Sequence, residues 1–381
     1  MTVGRPHAVV IGDLDLIRPV RMAGAEVTAV LGADAPARRS NQVSSSIDLP
    51  DPFDAEVLVE RLVANARGDA TPLFYQGDEE LLAIGRHRDR LRQAGYRFVL
   101  PSPGLLDDLV DKSRFQRLAE ELGLPIPRAQ VVDAHDPNLF LLEGDAIVKP
   151  LNRTSEWSSG GIATKAVSVA DQDEFADFAS RVERWFPELL VQQMIPGDED
   201  RIESYHVYVD DEGAIAGEFT GRKIRTIPRR FGFTTALEIT NQPDVLSLGR
   251  HVVRATGLRG VAKVDLKRDR EERLRLLEIN PRFNLWHLAG AVAGVNLPGL
   301  VFADLTGAPR PAAAVARPGV RWSNPLADLR SVRDDDRTSL WQWLRWTAGC
   351  DTFHDLSVRD PQPFLHGSLL PMVRRRLSRR A

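Results

Sequence analysis

Polar side chains alternate with apolar ones at the end of an apparent strand, residues 276–282. Glu278 and Asn280 are two positions apart, so on a strand their side chains lie on the same face. A carboxylate and an amide together offer the oxygen ligands that Mg²⁺ takes alongside substrate phosphates. Pro281 ends the hydrogen-bond ladder, and Arg282 can then extend toward the group that the metal holds. The pattern predicts a magnesium site with a cation beside it.

A second predicted strand, residues 261–267, supplies a further carboxylate. The polar segment 268–272 is typical of a hairpin connection between two strands. If the strands pair, Asp265 lies close to Glu278 and joins Glu278 and Asn280 as a predicted metal ligand. The alternative is a solvated hairpin end, where charged residues need no metal.

Length and composition limit the classes of protein that the chain can belong to. Its 381 residues exceed one ordinary core and predict two or three domains. With 50 basic and 53 acidic residues, the net charge of −3 indicates neither a nucleic-acid nor a membrane partner. The single cysteine, Cys350, excludes an intramolecular disulfide and a cysteine zinc cage. Because we find neither a signal pattern nor an apolar run of about 18 residues, we expect a cytoplasmic protein without a membrane span.

Residues 8–104 alternate strand and helix patterns, which predicts an α/β domain. Its first strand, residues 8–12, ends in glycine, as dinucleotide-binding domains do. A pyrophosphate turn needs the spacing G-x-G-x-x-G, however, and here Gly12 stands alone. No Walker P-loop motif occurs anywhere in the chain. The oxidoreductase and P-loop interpretations are therefore poor.

Two lysines are candidates for binding phosphate. Lys112 lies off the apolar stripe of a helix predicted over residues 107–123, although a solvated charge is the alternative. Lys149 ends a predicted strand and precedes a loop of small residues, whose backbone N–H groups can turn toward phosphate oxygens. A flexible surface hairpin is the alternative for that loop. The loop residues that we assign to phosphate are Ser158, Ser159 and Gly160.

The predicted strand 188–193 runs into a turn whose residues could lie along a flat base. Gln193, Met194 and Ile195 offer backbone groups for an adenine edge, and Glu199 could accept a ribose hydroxyl. An edge strand that ends in a Pro-Gly turn is the alternative.

Five cations lie within nine residues, from Arg222 to Arg230. So dense a cluster repels itself unless anions are present, which favours a site for an acyl phosphate and a carboxylate. Lys223 and Arg225 are the candidate catalytic cations within it. A nucleic-acid patch is the alternative, but the net charge of the chain is acidic.

The order of these parts resembles that of the ATP-grasp family from about residue 8 to residue 307. The resemblance implies an α/β protein with a Rossmann-like pre-ATP-grasp domain over residues 1–104. The α+β ATP-grasp fold would follow over residues 105–307, with a lid subdomain at about 125–195. Residues 308–381 would form an aromatic-rich helical extension with a basic tail.

Within the family, the cationic segment looks like the predicted carboxylate-amine ligase branch, which includes D-aspartate ligase. The resemblance implies ATP and two Mg²⁺ ions, or Mn²⁺ in their place. Asp265 stands where many members of the family have glutamate. The resemblance places Arg282, Lys223 and Arg225 at the acyl phosphate, and Lys112, Lys149, Ser158, Ser159 and Gly160 at the ATP phosphates. It places Gln193, Met194 and Ile195 at adenine, Glu199 at ribose, and Asp265, Glu278 and Asn280 at the metal.

The implied reaction joins a carboxylate to an amine, such as an amino acid or peptide, and releases ADP and phosphate. The implied partners are these small molecules, and a homodimer is left open. Two alternatives remain: a carboxylase of the biotin-dependent type that uses bicarbonate, and an ATP-binding regulator without turnover.

Overall fold

A computed structural model describes residues 6–68, 70–136, 145–151, 157, 162, 164–334 and 338–372. The chain begins with a five-stranded parallel sheet of order β3-β2-β1-β4-β5. Its elements are β1 (His7–Ile11), α1 (Leu14–Met22), β2 (Glu26–Leu31), a 3₁₀ turn (Pro36–Arg39), β3 (Ser45–Asp48), α2 (Ala55–Ala64), β4 (Thr71–Tyr75), α3 (Asp78–Arg86), α4 (Arg88–Gln93) and β5 (Tyr96–Arg97). The strand order reverses between β1 and β4, so a crevice opens at their carboxyl ends.

The central strand β1 is apolar on both faces because both faces are covered. Ala8 and Val10 pack into a core that also contains Trp286 and Trp322, far along the chain. Val9 and Ile11 pack into a separate core inside the unit formed by β1–β5 and α1–α4 (residues 7–97), which we call the front domain. The front domain therefore shares one of its two cores with the rest of the protein.

Two helices, α5 (Pro103–Val110) and α6 (Lys112–Glu121), follow the front domain. The sequence predicts one helix here, and that prediction is wrong. The chain breaks at Asp111, whose carboxylate accepts hydrogen bonds from the backbone N–H groups of Ser113 and Arg114. This is an N-cap, which satisfies amides that a new helix leaves unpaired. Lys112 thereby becomes the first residue of α6.

A four-stranded antiparallel sheet of order β6-β9-β7-β8 comes next. Its core contains Trp157, whose ring lies 5.2 Å from that of Phe186. The elements are β6 (Ala129–Asp133), β7 (Ala146–Pro150), β8 (Val167–Val169), α7 (Gln172–Val182) and β9 (Glu188–Gln193).

The third sheet has seven strands in the order β14-β13-β10-β11-β12-β15-β16. It is antiparallel except for the final pair, β15 and β16. Its elements up to residue 306 are a 3₁₀ turn (Glu199–Arg201), β10 (Ile202–Val209), β11 (Ile215–Ile227), β12 (Phe233–Thr240), α8 (Pro243–Thr256), β13 (Gly260–Arg268), β14 (Leu274–Asn280), α9 (Trp286–Val292) and α10 (Leu297–Thr306). The elements after residue 306 are β15 (Arg321–Ser323), α11 (Pro325–Arg333), α12 (Leu340–Ala348), β16 (Thr352–Phe353), α13 (Gln362–Phe364) and a π turn (Leu365–Leu369).

The sequence predicts a helical extension after residue 307, and this prediction is only partly right. The segment also contains the strands β15 and β16, which extend the large sheet. It also binds the front domain through the buried carboxylate of Asp15. The Trp322 indole donates to this carboxylate at 2.7 Å, and the His354 ring lies 2.5 Å from it. Within the described ranges, no single helix has the length and apolar character to cross a bilayer. Trp286–Val292 and Leu297–Thr306 meet that test only as a pair, which is bent by 88°.

Candidate active site

A cavity of about 320 Å³ lies where the three sheets meet. Its walls come from the start of α3, the α5–α6 junction, β7, the end of β9, and strands β11, β13 and β14. Most of the predicted site residues that the structure describes line this one cavity. They are Lys112, Lys149, Gln193, Met194, Ile195, Glu199, Lys223, Asp265, Glu278, Asn280 and Arg282. Ser158, Ser159 and Gly160 lie outside the described residues.

The two predicted metal carboxylates face each other across the β13–β14 hairpin, where Asp265 is the direct partner of Glu278. Asp265 is buried and accepts a hydrogen bond from the Ser204 hydroxyl at 2.5 Å. Its other oxygen lies 2.6 Å from the ammonium of Lys263. Burial alone would raise the pKa of Asp265, but Lys263, Lys223 and Ser204 outweigh burial and lower it. Asp265 is therefore ionised at neutral pH.

Glu278 is half-buried and lines the cavity beside this aspartate. Burial and the charge of Asp265 favour its neutral form, yet Lys263, Lys165 and the Asn280 amide together lower its pKa. The Asn280 Nδ2 donates to Glu278 Oε1 at 3.1 Å, which leaves the amide oxygen for another partner. Two ionised carboxylates and an amide on one hairpin suit a hard divalent cation. The donor set therefore fits Mg²⁺.

Lys149 projects from β7 into the cavity and is held by a chain of amides. Its ammonium donates to Gln192 Oε1 at 2.8 Å, and Gln192 donates to Gln116 at 3.3 Å. Burial lowers the pKa of Lys149 to about 8, with a smaller opposing contribution from Glu278. An anionic ligand would favour its charged form.

Lys112 is the first residue of α6, and its backbone N–H donates to the Leu151 carbonyl at 3.0 Å. Its ammonium lies 3.5 Å from the same carbonyl oxygen. The N-cap break at Asp111 is what directs this lysine toward the cavity. Lys112 and Lys149 therefore approach one cavity from a helix and from a strand.

The turn after β9 places Gln193, Met194 and Ile195 along the cavity, with the Met194 N–H donating to the Asp145 carbonyl at 3.0 Å. Glu199 Oε1 accepts the backbone N–H of Phe231 at 3.2 Å. The tip of the β11–β12 hairpin thus reaches the proposed ribose position.

The cationic segment 222–230 does not present its charges to one anion site. All five cations lie within the described ranges, yet Lys223 alone lines the cavity. Arg222 pairs with Glu238 at 3.4 Å on another face. No hydrogen bond or ion pair to a described residue holds the Lys223 ammonium, which therefore remains the candidate cation for the acyl phosphate.

Arg225 lies away from the cavity, which contradicts its assignment to the acyl phosphate. Its Nε and Nη2 donate to the two oxygens of Asp328 at 2.8 and 2.7 Å. A β-bulge causes the difference. Lys223 pairs with Leu237, and Arg225 pairs with Ala236, so two steps along β11 match only one step along β12. The extra residue reverses the alternation of side chains that a regular strand would keep.

Arg282 lines the cavity but is already engaged. Its Nε and Nη2 bind the two oxygens of Asp78 in the front domain, the Nη2 contact at 3.0 Å. Its Nη1 donates to the Gln76 carbonyl at 3.0 Å.

Sequence reasoning missed several cations that line the cavity, namely Lys165, Lys263 and Lys267. Lys263 and Lys267 lie two residues on either side of Asp265, so strand alternation could have indicated them. Lys165 lies two residues before β8 and is brought in by tertiary contact, with its N–H donating to the Phe231 carbonyl at 2.9 Å. No local signal marks it.

Comparison with known proteins finds similar sequences and similar folds. The family described as "ATP-grasp in the biosynthetic pathway with Ter operon" matches residues 185–325. A D-aspartate ligase of Enterococcus faecium (strain Aus0004) is 25% identical over an alignment of 293 residues, which covers 71% of this chain and 68% of that protein.

Two solved structures share the fold. Biotin carboxylase from Campylobacter jejuni has a TM-score of 0.64 at 13% identity and covers 83% of this chain and 74% of its own. L-amino acid ligase from Bacillus licheniformis has a TM-score of 0.59 at 16% identity, with 80% and 75% covered. The chain has the ATP-grasp fold, and the resemblance inferred from the sequence is confirmed.

Proposed function

We propose that this ATP-grasp protein is a ligase that uses ATP to join a carboxylate to an amine through an acyl phosphate. The observation that supports the proposal is the single cavity shared by the Asp265–Glu278–Asn280 hairpin, the turn after β9, and the lysines at positions 149 and 223. Such a set can hold a nucleoside triphosphate and a divalent cation next to the ammonium of Lys223. The named D-aspartate ligase and L-amino acid ligase support an amino acid or peptide as the amine.

In the first step a carboxylate oxygen attacks the γ-phosphorus, and the bond to the bridging oxygen breaks with its electron pair leaving on ADP. In the second step the amine nitrogen attacks the acyl carbon, phosphate leaves with the C–O electron pair, and the nitrogen loses a proton. Mg²⁺ held by Asp265, Glu278 and Asn280 would neutralise charge on the triphosphate.

The chain's own residues do the positioning. Lys112 and Lys149 bind the ATP phosphates, and Lys223 stabilises the negative charge of the transferred group. No side-chain nucleophile is required, because orientation and electrostatics provide most of the catalysis in phosphoryl transfer.

The proposal is tested by measuring phosphate release from ATP and Mg²⁺ with panels of carboxylates and amines, using ¹⁸O-labelled carboxylate. An acyl phosphate intermediate requires one ¹⁸O atom to appear in the released phosphate and an amide product of matching mass. Phosphate release that depends on bicarbonate and not on any amine would instead indicate a carboxylase. Unlabelled phosphate in the presence of an amide product would refute the acyl phosphate.

A further inference from the structure

We infer that Asp78 is a positioning residue of the proposed ligase, acting through Arg282 to fix the front domain against the metal-binding hairpin. The inference rests on the proposed function, since the reaction gives the positioning its purpose. It adds a residue of the front domain to the site residues that were predicted from the sequence.

The contact between Asp78 and Arg282 is the bidentate type that carboxylate and guanidinium favour. Nε and Nη2 of the arginine each bind one oxygen of Asp78. Nη1 donates to the carbonyls of Gln76 at 3.0 Å and Phe283 at 3.4 Å. Four of the five N–H groups of Arg282 are therefore assigned, three of them to the front domain.

The location of the pair connects the two parts of the site. Asp78 follows β4 at the crevice where the strand order of the front sheet reverses, the usual place for a ligand in such sheets. Arg282 lies two residues beyond Asn280, the last residue of β14. Both side chains line the cavity. A shift of this pair therefore moves one wall of the cavity relative to the other.

An ordinary local role does not account for Asp78. Acidic residues in the first turn often cap their own helix, but α3 has Gly77 at its N-cap and no side-chain cap. The carboxylate of Asp78 is directed instead to a residue 204 positions away in the chain.

The expected effect lies on turnover and not on ATP binding. Misplacing reacting groups by 1 Å can lower a rate by about 10²-fold. We expect Asp78→Asn, which keeps the volume but loses the charged fork, to lower kcat by about this factor with KM for ATP within about twofold. Asp78→Glu should recover part of the loss. Asp89→Asn is the matched control, because Asp89 is an exposed residue in the first turn of the next helix.

A double-mutant cycle tests whether Asp78 acts through Arg282. If it does, Asp78→Asn costs nothing further in an Arg282→Gln background. An equal loss in both backgrounds, or an unchanged kcat in the single variant, would overturn the inference.

If the wild-type protein forms no product with any substrate pair, the proposed function fails, and amide hydrogen exchange decides the positioning separately. Faster exchange in residues 278–285 of the Asp78→Asn variant would then support the link between the domains. Unchanged exchange in that segment would refute it.

Discussion

Replacing Arg225 by methionine separates a structural arginine from a catalytic one. The guanidinium makes two hydrogen bonds to Asp328 and lies 4.5 Å from the Trp346 ring centroid. Asp328 is fully buried, and the Arg225 side chain is only 12% exposed. Asp328 also accepts hydrogen bonds from Thr235 at 2.8 Å and Trp343 at 3.0 Å. This arginine thus neutralises a carboxylate that joins β11, β12, α11 and α12.

The expected loss follows from the charge that the variant leaves behind. Removing one partner of a buried ion pair costs about 3–5 kcal/mol, because the remaining charge is uncompensated. The two neutral donors reduce this loss but do not supply a counter-charge. A chain of 381 residues unfolds with an entropy of about 0.8 kcal/mol/K, so Tm should fall by about 4–6 °C.

Calorimetry and steady-state turnover are measured on the same preparations, at a temperature well below the lower Tm. We expect the Arg225→Met variant to keep kcat within about twofold of wild type. Arg90→Ala is the control, since Arg90 and its partner Glu56 are 44% and 62% exposed and such pairs contribute at most about 1 kcal/mol. A large loss of kcat with an unchanged Tm would refute the structural role and restore the assignment to the acyl phosphate.

Three further predictions concern the proposed metal site, the proposed phosphate contact of Lys149, and the contact between the front domain and the segment after residue 307. Glu278→Gln keeps the oxygen that accepts the hydrogen bond from the Asn280 amide but removes a negative charge. Mg²⁺-dependent turnover should therefore fall at least about 10²-fold, with an unchanged circular dichroism spectrum. Retained turnover would contradict the metal assignment. Burial lowers the pKa of Lys149 to about 8, so above pH 8 the free protein loses the charge that would bind the ATP phosphates. Calorimetric titration should then show the Kd for ATP rising by at most about tenfold per pH unit. A Kd that does not change above pH 8 would contradict the phosphate contact of Lys149. Burial alone would lower the pKa of His354, but Asp15 outweighs it and raises the pKa to about 10. Burial raises the pKa of Asp15 to about 6, so the charged pair is complete near pH 6.5 and its stabilisation is lost toward pH 10 as His354 loses its proton. The difference in unfolding free energy between wild type and His354→Gln should therefore shrink from pH 6.5 to pH 10, and a constant difference would exclude the pair.

The hairpin that carries Asp265, Glu278 and Asn280 was predictable because it depends on local rules. Side-chain alternation placed Glu278 and Asn280 on one face, and a polar connection of the right length brought Asp265 opposite Glu278. Each inference needed only neighbouring residues. The α/β front domain was predictable for the same reason, since strands covered on both faces are continuously apolar.

The failures occur where one residue changes the local pattern. The bulge after Lys223 reverses the alternation, so Arg225 faces Asp328 and not the cavity. The N-cap at Asp111 divides one apolar stripe into two helices. Neither change alters composition or hydrophobic spacing enough to be read from one sequence, because both depend on which hydrogen bonds the folded chain completes.

Arg225 and Arg282 show why residue type alone does not assign a role. Each makes a bidentate contact with a distant aspartate, 103 and 204 positions away. Asp328 is fully buried, whereas Asp78 is 33% exposed and lines the cavity. An uncompensated charge costs less where water reaches it. Asp78→Asn leaves the charge of Arg282, whose side chain is 18% exposed, whereas Arg225→Met leaves the charge of Asp328, which is fully buried. Arg225→Met should therefore lower Tm and preserve kcat, and Asp78→Asn should lower kcat and largely preserve Tm. If either variant lost both Tm and kcat, the burial of the partner aspartate would not distinguish a structural arginine from one that positions the site.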